Sequence, residues 1–219
     1  MSNADFGLHS LRLSEFGIRS SIQYLCIWMQ PLIYLDHNAT TPVDQQVLEI
    51  MLPFFSQDFG NAASLTHTFG LAAARAVEKA RGQVAEFIGA DPQEITFTSG
   101  ATEAINLAIK GVYETYAGKG KHIITAQTEH KAVLDTCAYL EKKGAGITRL
   151  PVDREGLVDL QELEKSIRPD TILVCIMLAN NETGVIQPLA GISKITRSRG
   201  CILMSDATQA AGKIRVDVN

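Results

Sequence analysis

Four times along this chain a short β-rich run ends in a cluster of polar and small residues. The run at 94–98 (EITFT) leads into Ser99-Gly100-Ala101-Thr102-Glu103, and that at 122–127 (HIITAQ) into Thr128-Glu129-His130. Residues 171–178 (TILVCIML) precede Ala179-Asn180-Asn181-Glu182-Thr183-Gly184, and residues 201–205 (CILMS) precede Asp206-Ala207-Thr208-Gln209. Helical segments are expected at 67–88, 101–116, 131–143, 160–167 and 189–199. In the first of these Ala72, Ala73, Ala76, Val77, Ala80, Val84 and Phe87 recur at helical spacing, and Gly89 is a stop. Strands alternating with helices predict an α/β fold with a mostly parallel sheet flanked by helices. The Val/Ile/Leu-rich runs suit strands covered on both faces.

Composition narrows the class. The 219 residues suffice for one domain and a core, with 46% hydrophobic and 20% charged residues, as in ordinary globular proteins. A net charge of -4 argues against direct nucleic-acid binding through an overall basic surface. Cys26, Cys137, Cys175 and Cys201 lack metal-ligand spacing and are expected as reduced thiols. Residues 1–31 lack a clear pattern and read as a poorly ordered extension, with an upstream start or a targeting or partner helix as the alternatives. Their apolar run at 22–29 is too short to cross a membrane.

In open α/β sheets, ligands sit outside the carboxyl ends of the strands, where these clusters fall. The turn at 99–103 opens a helix whose first N–H groups suit a phosphate; equally, Ser99 would simply cap it. Asp206 follows a buried run, so its carboxylate needs a partner: a protonated pyridine nitrogen, a metal, or the helix it caps. His130 could stack on a planar ring and move a proton, or serve as a cap. Asn181 and Gln209 could donate to a phenolate oxygen, and Asn180-Asn181 could equally be turn residues.

Six segments in order carry a resemblance: YLDHNATTPV (34–43), FGNAASLTHTFG (59–70), FTSGATEAINLAIKG (97–111), TEHKAVLDTC (128–137), NNETGV (180–185) and SDATQAAGK (205–213). Over residues 33–218 the chain resembles the cysteine desulfurases of the class V aminotransferases, which are fold type I enzymes dependent on pyridoxal 5'-phosphate (PLP). The TEHKAV and GNAAS forms look like the group that supplies sulfur for iron–sulfur clusters and tRNA thiolation. The resemblance implies that Ala101 and Thr102 bind the PLP phosphate and that His130 stacks on the ring and assists proton transfer. It implies that Asp206 pairs with the pyridine nitrogen, that Gln209 bonds the phenolic oxygen, and that Asn181 lies near that oxygen and the substrate carboxylate.

The implied reaction converts L-cysteine to L-alanine and leaves a persulfide on an enzyme cysteine, for transfer to sulfur-acceptor or scaffold proteins of iron–sulfur assembly. The family is homodimeric. The expected setting is the cytoplasm, with the mitochondrial matrix as the alternative. The family's Schiff-base lysine and persulfide-forming cysteine lie beyond the position matched by Asp206, and Lys213 is not that lysine. Met204-Ser205 and Ala62 also depart from the family's usual residues. Residues 32–219 are therefore expected to be the N-terminal portion of a truncated PLP-binding large domain, inactive alone, with low solubility or self-association. Two readings compete: a non-catalytic PLP cradle or partner-binding polypeptide, and another class V enzyme acting on a different amino acid.

Overall fold

The computed structural model describes residues 33–219, so the expected extension at 1–31 lies outside the described residues. The chain divides into two units, Met1–Thr41 and Pro42–Asn219. In the first, the Asp36 carbonyl accepts from Ala39 N–H (3.2 Å) and Thr40 N–H (3.4 Å), closing a turn. Tyr34 and His37 meet edge to face there, with ring centroids 5.2 Å apart.

The second unit opens with α1 (Gln45–Met51), α2 (Pro53–Ser56) and the long α3 (Thr68–Ile88). A 3-10 turn, Pro92–Glu94, leads to α4 (Ala101–Thr115). From there strand and helix alternate strictly: β1 (His122–Ala126), α5 (Lys131–Glu141), β2 (Gly146–Leu150), α6 (Leu160–Ser166), β3 (Thr171–Cys175), α7 (Leu189–Arg199) and β4 (Ile202–Met204). The four strands form one parallel sheet in the order β2-β1-β3-β4. Each strand returns to the sheet through a helix, the connection that a parallel pair requires.

The apolar runs of β1 and β3 make the two central strands, buried at every residue. Alternation sends their side chains to two cores. Ile123, Leu173 and Cys175 pack with Ile105 and Ile109 of α4 and Val133, Cys137 and Leu140 of α5. Ile124, Ala126 and Val174 pack on the other face with Leu163 of α6 and Ile192 of α7. Buried polar side chains also stand within this frame, His122, Thr125 and Thr171 among them. His122, at the start of β1, is fully buried, its Nδ1 2.6 Å from Thr171 Oγ1 on β3 and its Nε2 2.8 Å from Thr148 Oγ1 on β2.

One expectation needs correction, and two features lay outside the sequence reading. Residues 94–98 form no strand: 92–94 are a 3-10 turn, and 95–98 join no ladder among the described residues. The Ile95 carbonyl instead accepts from the Arg81 guanidinium. A β-rich run becomes a strand only when another strand pairs with it. Conversely, β2 (GITRL) is a strand that the sequence did not announce, because an edge strand with Thr and Arg lacks the continuous apolar run of β1 and β3. The apolar stripe of α3 is only partly covered: Ala73 is buried, whereas Val77, Val84 and Phe87 are exposed. The α3 ends themselves follow expectation, with His67 Nδ1 accepting from Gly70 N–H at 3.2 Å and Gly89 left-handed at φ 74°.

Candidate active site

Three of the four polar clusters leave the carboxyl ends of parallel strands, 127–130 after β1, 176–187 after β3 and 205–209 after β4, whereas the cluster at 99–103 follows no strand. Side-chain and backbone bonds join these three loops. Asn180 Nδ2 donates to the Thr128 carbonyl (2.8 Å), and Met177 N–H donates to Glu129 Oε1 (2.8 Å). Leu178 N–H donates to the Asp206 carbonyl (2.9 Å). His130, Asn181 and Asp206 therefore stand on one connected edge. Ala101 and Thr102 open α4, the helix that precedes β1 and packs in the same core as β1 and β3 through Ile105 and Ile109.

His130 is the N-cap of α5, and its Nδ1 accepts from Ala132 N–H at 3.1 Å. That bond places the proton of the neutral ring on Nε2. The capping and ring-binding readings of this residue are compatible, since the cap uses one nitrogen and leaves an exposed imidazole face. Asp206 follows β4 and is half-buried; its Oδ1 accepts from Thr208 N–H (2.9 Å) and Thr208 Oγ1–H (2.6 Å), which fixes the carboxylate plane. Gln209 Oε1 accepts from Lys213 Nζ at 2.6 Å, on the turn that follows.

The two asparagines separate cleanly. Asn180 is the turn residue, buried, with Oδ1 accepting from Glu182 N–H (2.9 Å), Thr183 N–H (2.8 Å) and Thr183 Oγ1–H (3.1 Å). Asn181 is half-exposed and donates to Glu182 Oε1 at 2.9 Å.

The start of α4 differs from the capping expectation. Gly100, not Ser99, is the N-cap, and no side chain caps the first turn. Ser99 is drawn to Glu103 instead, both its N–H and its hydroxyl donating to Glu103 Oε2 at 2.6 Å. Those two donors hold the Glu103 carboxyl below its usual range. Ala101 and Thr102 are exposed and begin the helix with their amides directed to its open end.

Sequence reasoning left one conspicuous residue without a role. Glu129 is 5% exposed and its Oε2 is buried without a partner, as is Ser205 Oγ beside Asp206. Burial pushes the Glu129 carboxyl up to about 7, against the lowering effect of the Met177 amide and with Asp206 adding to the rise. An acidic residue between an apolar strand and a candidate histidine was the available signal.

A parallel sheet flanked by helices, with an oriented carboxylate and an imidazole on loops at one strand-end edge, defines the class: an α/β protein with its polar groups gathered where such sheets place ligands. Residues 33–219 match the aminotransferase class-V family, and the chain belongs to that family, whose members depend on PLP. It is 58% identical over 189 residues to the cysteine desulfurase IscS of Pectobacterium carotovorum subsp. carotovorum (strain PC1), covering 85% of this chain and 47% of that relative. A solved NifS-like protein superposes with a TM-score of 0.82 at 46% identity, over 85% of this chain and 51% of its own. A solved complex of SspA with cysteine does so with a TM-score of 0.82 at 40% identity, over 85% and 54%. The chain thus spans about half the length of the curated relatives it matches.

The residues present fit PLP: an open helix start for the phosphate, a carboxylate for a protonated ring nitrogen, an imidazole for the ring face and an amide for the phenolic oxygen. Among the described residues no group of His, Cys, Asp and Glu is arranged to hold a metal ion.

Proposed function

We propose that this chain is the PLP-cradling part of a cysteine desulfurase, which converts L-cysteine and an enzyme thiol to L-alanine and an enzyme persulfide. The observation that carries this reading is the hydrogen-bonded junction of three loops, bearing His130, Asn181 and Asp206, at one edge of a parallel sheet. When bound, PLP supplies an electron sink for chemistry at the substrate's carbon. Asp206, its Oδ1 held by Thr208, keeps the ring nitrogen protonated. Ala101 and Thr102 present amides to the phosphate. His130 covers the ring face with its Nδ1 committed to the cap, so its Nε2 is the atom that holds or moves a proton. Gln209 addresses the phenolic oxygen, and Asn181 stands beside it and the substrate carboxylate.

The persulfide thiol lies outside the described cysteines. Cys137 and Cys175 are buried, and burial pushes all three described thiols up, Cys137 to about 11, away from thiolate reactivity. No lysine here matches the family's cofactor-holding position, so the 219-residue chain alone is expected to bind PLP without turnover. A homodimer, acceptor or scaffold proteins of iron–sulfur assembly, and a cytoplasmic setting complete the reading. Exposed Phe55 and Phe59 support a second reading, a PLP cradle that docks on a partner.

The test is an absorbance titration with PLP, followed by borohydride and intact mass. Saturable binding without a specific covalent adduct is expected. Asp206→Asn is expected to weaken binding about 10- to 100-fold, the worth of a charge-assisted bond of about 1.5–3 kcal/mol. A stable adduct on one lysine would show that the chain anchors the cofactor itself and overturn the anchorless reading.

A further inference from the structure

Glu129 has no part in the cradle as drawn, yet it occupies the centre of the junction. Its Oε1 takes the Met177 amide (2.8 Å), and the next amide, that of Leu178, is spent on the Asp206 carbonyl (2.9 Å). Its neighbour in sequence is His130. We propose that Glu129 is the positioning residue that sets the histidine over the ring face in register with the carboxylate at the ring nitrogen, by clamping the β1 loop to the chain segment that also holds Asp206. The inference rests on the PLP reading for its purpose, while the clamp is a property of this chain alone.

Below about pH 7 the clamp is held by a neutral acid. Glu129 is 5% exposed and its second oxygen has no partner. An ionised carboxylate there would hold a buried charge against a single amide. Among the described residues no cation acts on it: Asp206 from the β4 loop faces it, as do Cys137 from α5 and Cys175 from β3, while Arg149 of β2 acts on Cys137. Asp206 in particular disfavours a second negative charge beside it. Below about pH 7 a protonated Glu129 leaves Asp206 as the carboxylate for a bound pyridinium, and keeps its own carbonyl oxygen for Met177.

Two variants of the full chain test this. Glu129→Gln keeps an acceptor but cannot ionise; Glu129→Leu removes the acceptor. Amide hydrogen exchange without cofactor is expected to quicken about 10-fold or more at Met177 and Leu178 in Glu129→Leu, with β1 and β3 unchanged, and to stay near wild type in Glu129→Gln. The carboxyl releases its proton near 4.5 when unfolded and near 7 when folded, so its stabilisation falls as pH rises through that window. The wild-type folding constant relative to Glu129→Gln is therefore expected to drop about 10-fold or more from pH 5 to pH 7.5. His122 is common to both proteins and cancels in that ratio.

In PLP titrations Glu129→Gln is expected to bind within about 3-fold of wild type, and Glu129→Leu about 10-fold or more weakly. Unchanged exchange at Met177 and Leu178 in Glu129→Leu, or a pH-independent ratio, overturns the clamp. Should Glu129→Leu fail to fold, the Glu129→Gln ratio decides. Wild type that binds no PLP overturns the cofactor reading instead, and the exchange and pH data still decide the clamp.

Discussion

His122 shows how one side chain can tie three strands. Its two ring nitrogens reach Thr171 on β3 and Thr148 on β2 from the first residue of β1, and Thr171 Oγ1 also accepts Arg168 N–H at 2.8 Å. Burial lowers its readiness to protonate, Arg168 adds to that, and Asp170 opposes it. The unfolded imidazole takes up a proton near 6.5 while the folded one stays neutral to lower pH. Its contribution to stability is present above that pH and is lost as pH falls. Urea unfolding should therefore show His122→Gln gaining on wild type between pH 7.5 and pH 5. At the higher pH the variant should be less stable by about 1–2 kcal/mol, the usual cost of a disturbed buried hydrogen-bond pair. Glu129 titrates in the opposite sense, so the comparison of variant with wild type isolates the histidine.

At the scale of elements, the loop after β3 is the organiser of the site, and Asn180 is the residue that shapes it. It accepts three bonds from within its own turn and donates one to the loop after β1. Removing it leaves two loop amides and the Thr128 carbonyl without these partners. Asn180→Ala is expected to cost about 2–3 kcal/mol in chemical denaturation, whereas Asn181→Ala, on a half-exposed side chain, should stay within about 0.5 kcal/mol. Equal costs would contradict the division of labour between the two asparagines. Helix boundaries in this half of the chain were legible to within a few residues because their signals are local. Pro188 precedes α7 and a left-handed Gly200 at φ 68° follows Arg199, just where the apolar spacing stops.

Across the Pro42–Asn219 unit, apolar surface is unevenly spent. The central strands β1 and β3 are fully covered, yet Ile50 (70%), Phe55 (74%), Phe59 (67%) and Leu65 (65%) are exposed. Phe54 and Phe59 line an open groove with Ala73, Ala76, Val77 and Ala80 of α3. The sheet's edges, β2 and β4, have no further neighbour among the described residues. Such surface favours association. Sedimentation velocity on the purified chain should show mass rising with concentration, and Phe55→Ser with Phe59→Ser should reduce it. A monomer at every concentration would count against an interaction role for this face. No helix among the described residues is long and apolar enough to cross a membrane.

Chain-local chemistry was readable before any fold was known. The period of apolar residues marked β1, β3 and the helices, and polar clusters after the strands marked the edge where His130, Asn181 and Asp206 stand. Those signals span a few residues, and the forces behind them, capping and one-sided burial, act over the same distance. Pairing does not. Whether 95–98 forms a strand depends on a partner elsewhere in the chain, and whether Val77 or Phe87 is buried depends on what lies against α3. Glu129 meets Met177 across 48 positions of sequence, and its protonation depends on burial and on Asp206, which only the packed sheet brings near. Sequence alone determined which residues require burial, turns or partners; the tertiary structure decided which partners they obtain, because long-range pairing and desolvation depend on the assembled chain.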